Sequence, residues 1–110
     1  MSKTGGTTMA KDDFFVIAYR MLAYLYACMK AGEIPDANMI SSNGLEIPYR
    51  YWSGIVDMLQ KAGYIEGNHG YYEPGRLTIT MVGIEYLLFH PMMEKAKAFL
   101  KEKKEIVQGL

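Results

Sequence analysis

Between Leu45 and Ile79 the chain reads LEIPYRYWSGIVDMLQKAGYIEGNHGYYEPGRLTI, a stretch compatible with few backbone courses. Pro48 suits the first position of a helix, where its missing N–H costs nothing. Trp52, Ile55, Val56, Leu59 and Ala62 then recur at helical spacing on one face. Gly63 supplies a left-handed stop. Residues Tyr64 to Glu66 and Arg76 to Ile79 are short and rich in β-formers, and Gly67, Asn68, Gly70, Pro74 and Gly75 between them carry the chemistry of a hairpin loop. A helix that runs through a glycine stop into a hairpin is the layout of a winged helix-turn-helix.

The flanking segments complete that layout. Met1 to Thr8 are small, polar and glycine-containing, and are expected to be a disordered lead or an expression remnant, with Met9-Ala10-Lys11 resembling a second start. Residues 9–110 are then one winged-helix domain. Asp12 or Asp13 caps a first helix that runs to Lys30 before Gly32 and Pro35 end it. Phe14, Phe15, Ile17, Ala18, Met21, Leu22, Leu25, Cys28 and Met29 cover more than one stripe of it, so it is expected to be the central core helix. Arg20, Tyr24, Ala27 and Lys30 share its remaining side, the tyrosines keeping their hydroxyls at the surface. Asp36 caps a short second helix to about Ser42, Met39 and Ile40 face the core, and Asn43-Gly44 makes the turn into the third. Thr80 caps a helix beginning near Met81, which His90-Pro91 interrupts. Pro91 opens a last helix to about Val107. The expected class is therefore mainly α with a small β-hairpin, a winged helix-turn-helix with an extra C-terminal helix.

A chain of 110 residues, half of them apolar, has one core and not two. Cys28 is the single cysteine, so no internal disulfide forms, and no signal segment opens the chain. The longest apolar run, Met21 to Met29, is far shorter than the roughly 20 residues a membrane span needs. These observations predict a cytoplasmic protein with no membrane partner.

In their order, AKDDFFVIAYRMLAYLYACMKAG, IPYRYWSGIVDMLQKAGYIEG, LTITMVGIEYL and MMEKAKAFLKE resemble the YjcQ-like winged-helix family of bacteria and their phages, over nearly everything from Met9 to Glu105. The most specific parts are the Ile-Pro-aromatic helix start, the Gly63-Tyr64-Ile65 exit and the Thr80-x-x-Gly83-Ile84-x-Tyr86-Leu87 segment. The resemblance implies the fold and brings no catalytic residues with it; winged-helix relatives in general bind DNA or proteins. Where family members often carry a proline and a lysine after the position of Thr80, this chain has Met81 and Val82, so the junction is more apolar.

Nothing in the sequence composes an active site. His69 and His90 have no Cys, Asp or Glu partners at metal-ligand spacing, so no metal and no cofactor is expected. Cys28 lies on an apolar helix face, as an inert buried thiol does. Gly67, Gly70 and Gly75 lack the lysine and helix start of a phosphate loop.

Binding is the remaining class. The solvent face of the third predicted helix offers Tyr49, Arg50, Ser53, Gly54, Asp57, Gln60 and Lys61 to a major groove, and the wing adds His69, Tyr71, Tyr72 and Arg76. From these, double-stranded DNA contacts are expected at Tyr49, Arg50, Ser53, Gln60, Lys61, His69 and Arg76. Asp57, Glu66 and Glu73 oppose them, and Lys plus Arg equals Asp plus Glu at twelve each, so no overall basic surplus helps. Tyr49, Tyr51 and Trp52 either anchor the helix against the core and wing or meet a ligand. Gly54, at about 1 kcal/mol worse than alanine inside a helix, points to a close approach by the first helix or by a partner. Met92, Ala96, Phe99 and Ile106 share one side of the last helix, to be used for a homodimer or for packing on the first helix. The leading expectation is a bacterial or phage transcriptional regulator that binds DNA. Its alternative is a module that binds a protein partner and no nucleic acid.

Overall fold

The structure, a computed structural model, describes residues 9–67 and 77–103. Among these, helices α1 (Phe14–Ala31), α2 (Ala37–Ile40), α3 (Ser42–Leu45) and α4 (Tyr49–Lys61) precede strands β1 (Ile65–Glu66) and β2 (Thr78–Ile79), and α5 (Met81–Phe89) and α6 (Pro91–Glu102) close the order. The class is as the sequence implies: mainly helical, with one small antiparallel hairpin whose register sets Ile65 opposite Ile79 and Glu66 opposite Thr78. The expected lead at residues 1–8, the wing tip at 68–76 and the last helix beyond Lys103 lie outside the described residues.

Helix α1 is the axis of the core. Val16, Ile17, Ala18, Tyr19, Met21, Leu22, Ala23, Leu25 and Cys28 are all buried, and α6, β2, α5 and α4 pack around them. With 18 residues and a mean hydropathy of 1.3, α1 has the length and composition of a marginal membrane span, yet here its apolar surface is consumed by the other elements. Gly32, in the left-handed region at φ 70°, ends it, and the Glu33 N–H closes the stop on the Cys28 carbonyl. Asp13 stands at the start of α1 but spends its carboxylate on the Ala10 N–H at 2.8 Å instead of on a helical N–H. Met29 is half exposed, not core-facing; the Tyr24 hydroxyl accepts from the exposed Asp36 N–H at 2.8 Å, whereas Tyr19, off that side, is buried, hydroxyl included.

The expected second helix is split. Asp36 caps α2 through the Asn38 N–H, but Ser41 adopts an extended backbone and its hydroxyl accepts from the Gly44 N–H at 3.1 Å, opening α3. A serine side chain that competes for backbone groups favours this second start over one continuous helix. Asn43-Gly44, expected as the turn, therefore lies inside α3. Glycine is required there because a Cβ at Gly44 would stand 2.0 Å from the Asn38 carbonyl oxygen. The reversal falls at Glu46, whose φ of 58° puts a non-glycine residue in the left-handed region. Of the two residues expected to face the core, Ile40 is buried and Met39 is exposed.

Pro48 sits one residue earlier than expected, at the N-cap of α4, with its carbonyl accepting from the Trp52 N–H. Gly63 ends the helix at φ 83°, and the Tyr64 N–H reaches back to the Leu59 carbonyl. The Thr80 hydroxyl accepts from the Gly83 N–H at 3.0 Å and also donates to the Gly63 carbonyl, so one side chain caps α5 and ties it to the end of α4. His90 caps α6 through Nδ1, which accepts from the Met92 N–H at 3.1 Å. Helix α6 packs back on α1. Ala96 is fully buried in that contact and so is not available to a second copy, while Phe99 is half buried against the core. Met92 is half buried, and Ile106 lies outside the described residues.

Candidate nucleic-acid interface

Helix α4 buries Trp52, Ile55, Val56 and Leu59, and helical geometry places Arg50, Gly54, Asp57 and Lys61 along the opposite ridge. Arg50, Asp57 and Lys61 are exposed. This ridge joins three of the sequence-derived candidates: Arg50 in the first turn, Lys61 in the last, and half-buried Ser53 beside Gly54. The two candidates on its flank are differently placed. Tyr49, 40 % exposed, sets its ring 5.6 Å from that of Trp52, and Gln60 donates its side-chain amide to the Gly67 carbonyl at 2.7 Å. Gln60 thus spends its Nε2 on holding the base of the wing to α4, which corrects its reading as a solvent-facing contact. His69 and Arg76, with Tyr71, Tyr72 and Glu73, lie outside the described residues.

Two aromatic side chains fix the helix. Trp52, 1 % exposed, donates from Nε1 to the Ile40 carbonyl at 2.7 Å and so bonds α4 to the end of α2. That settles the two readings of Trp52 in favour of an anchor. Tyr51, on the other flank, donates its hydroxyl to the Asp12 carbonyl at 2.6 Å. Partial desolvation and, after it, the carboxylates of Asp12 and Asp13 hold the Tyr51 hydroxyl above the ordinary tyrosine range, so it stays a donor at neutral pH. Tyr51, an anchor candidate from the sequence, is bonded to a backbone carbonyl 39 residues away, a partner that local spacing does not reveal. Sequence reasoning missed Met58, which is 57 % exposed and adds an apolar component to the solvent side.

Among the described residues nothing lies within 4 Å of where a Cβ on Gly54 would project, so of the two expected neighbours α1 makes no close approach there. The charges are mixed: Asp57 lies between Arg50 and Lys61, and Glu46 and Glu66 are exposed just beyond the two ends of the helix. Among the described residues no three of His, Cys, Asp and Glu gather as a metal site requires.

The residues that make the sequence distinctive are used in the architecture. Gly83 fits against the Tyr64 carbonyl, the Tyr86 ring stacks on that of Tyr64 at 4.2 Å and 18°, and Leu87 is buried. Ile47, at the Ile-Pro-aromatic start, is buried as well. A family profile described as YjcQ protein matches residues 19–106, from the middle of α1 through α6. No curated protein and no solved structure matches the chain. With most of its length under that profile and the motif residues engaged in the fold, the chain belongs to the YjcQ protein family.

Proposed function

We propose that this protein is a winged-helix regulator that binds double-stranded DNA through the Arg50–Lys61 ridge of α4 and the adjoining wing. The observation that carries this reading is the combination on one rigidly anchored helix of two exposed cations and, between them, a glycine with open space above it. Arg50 lies at the helix start, the end from which recognition helices meet base edges; Lys61 supplies a phosphate contact, and Gly54 lets a backbone come close. One phosphate contact per protomer, from Lys61, gives a log–log salt slope of only about −1, so non-specific binding is weak and base contacts carry the useful affinity. The test is binding of the purified protein to a random duplex pool at low and near-physiological salt, with molecular mass in solution recorded in parallel. Retention of a selected sequence at the higher salt, lost in Arg50→Ala/Lys61→Ala, supports the proposal. No binding even at low salt overturns it.

A second reading, a module that binds a protein partner, draws on α5. Met81 and Phe89 are 76 % and 73 % exposed, and with Val82 and Leu88 they form an apolar stripe interrupted only by Glu85. Exposed apolar surface concentrated on one helix is characteristic of protein contacts.

A further inference from the structure

Helix α5 gives Gly83, Ile84 and Leu87 to the core and turns its other face to solvent. Met81, Val82, Leu88 and Phe89 are all exposed there, and helical phase gathers them around Glu85. Their uncovered surface is on the order of 400 Å², the scale of the largest apolar patch on an ordinary monomer. Beside this stripe an open groove of about 410 Å³ runs between α5 and α6, and Leu88 belongs to both. The α6 side of the groove exposes Lys97 and Lys101, one turn apart, with exposed Ala98 small enough to let a helix come close. Glu94, on the same side, stands in the first turn of α6, where the helix dipole favours a carboxylate.

The charges decide what covers this face. An apolar strip with a carboxylate on its α5 side and two ammonium groups on its α6 side holds both members of a charge pair. A two-fold rotation makes such a surface complementary to itself, setting the carboxylate of each copy over the ammonium groups of the other. A partner of one sign fits less well: an acidic helix meets Glu85, and a basic one meets the lysines. We propose that the α5–α6 face joins two copies of this chain. Helix α5 of each protomer lies over the groove of the other, Met81, Leu88 and Phe89 bury the centre, and Glu85 of one copy pairs with Lys97 and Lys101 of the other. Two such faces with their charged rims bury roughly 1,000 Å² in total, enough for a reversible dimer. The interface uses no residue of α4 and is independent of whether that helix binds DNA.

Sedimentation equilibrium of the full chain, from about 5 to about 500 μM, tests this over the range expected of a small interface. The wild type is expected to pass reversibly from monomer to dimer. Met81→Ser/Phe89→Ser, altering only exposed side chains, should raise the dimer Kd by at least about tenfold. Glu85→Lys and Lys97→Glu/Lys101→Glu should each be monomeric alone. Mixed in equal amounts they should associate again, because both contacts across the two-fold then join opposite charges, and recovery on mixing shows that neither variant is misfolded. A wild type that stays monomeric throughout overturns the proposal and leaves the face to a different protein or to a lipid surface. So does a dimer indifferent to the serine substitutions, or a mixture of the two charge variants that stays monomeric.

Discussion

The α-carbon of Gly83 rests on the carbonyl of Tyr64: a Cβ added at Gly83 would lie 2.1 Å from that oxygen and 2.8 Å from Cγ1 of Ile79. The contact brings the first turn of α5 against the hairpin base, where the Tyr64 carbonyl also accepts from the Thr80 N–H at 3.0 Å.

Gly83→Ala is therefore expected to destabilise the protein by about 1–3 kcal/mol, the usual range for overpacking against backbone that has no room to give. Urea unfolding followed by circular dichroism measures it; a midpoint equal to that of the wild type would contradict the close approach.

Gly54→Ala should act in the opposite direction. Nothing within 4 Å meets the new methyl group and the backbone is helical, so a gain of roughly 0.5–1 kcal/mol is expected from helix propensity alone. A matching loss of duplex affinity in the same variant would identify the space above Gly54 as occupied by the nucleic acid.

Trp52→Phe keeps most of the buried ring but removes the donor to the Ile40 carbonyl. The buried carbonyl left behind and the lost volume together should cost about 2–3 kcal/mol. Hydrogen exchange would register faster opening of both α2 and α4, since the bond joins them.

Burial pushes the Tyr19 hydroxyl up to about 12 from its ordinary value of 10.0. The folded protein thus holds this proton at pH values where the unfolded chain has released it. The associated stability is complete below pH 10 and is lost as pH rises from about 10 through about 12, with a full loss on the order of 2–3 kcal/mol. Tyr24, Tyr51 and Tyr86 are raised as well, chiefly by desolvation, and contribute with the same sign. Thermal melts between pH 8 and 11.5 should show a smaller alkaline decline for Tyr19→Phe than for the wild type. Parallel declines would place the hydroxyl in contact with water.

Local chemistry made some features legible in the sequence and concealed others. Gly32 and Gly63 as left-handed stops, Asp36 and Thr80 as caps and the hairpin between α4 and α5 all follow from preferences of a few adjacent residues, and those preferences prevail here. Asn43-Gly44 misleads because a glycine needed for clearance beside the Asn38 carbonyl looks, in sequence, the same as a glycine needed for a turn. Met39 and Ile40 are neighbours on the four-residue α2 and so point about 100° apart, and a helix this short has too little periodicity to show that only Ile40 meets the core. At the candidate interface, Arg50 and Lys61 follow from helical phase, whereas the engagement of Gln60 with Gly67 and of Tyr51 with Asp12 depends on where other elements come to rest. The unpaired Tyr19 hydroxyl has no local signature, being one tyrosine among several on α1.

Helix α4 is held by side-chain bonds at three points along its length, from Tyr51 to Asp12, from Trp52 to Ile40 and from Gln60 to Gly67. A partner of the proposed ridge would therefore meet a surface held in place beforehand, with little ordering entropy left for association to overcome. Selectivity would then come from rejecting ligands that do not fit, because a helix pinned in this way has little freedom to adjust to them.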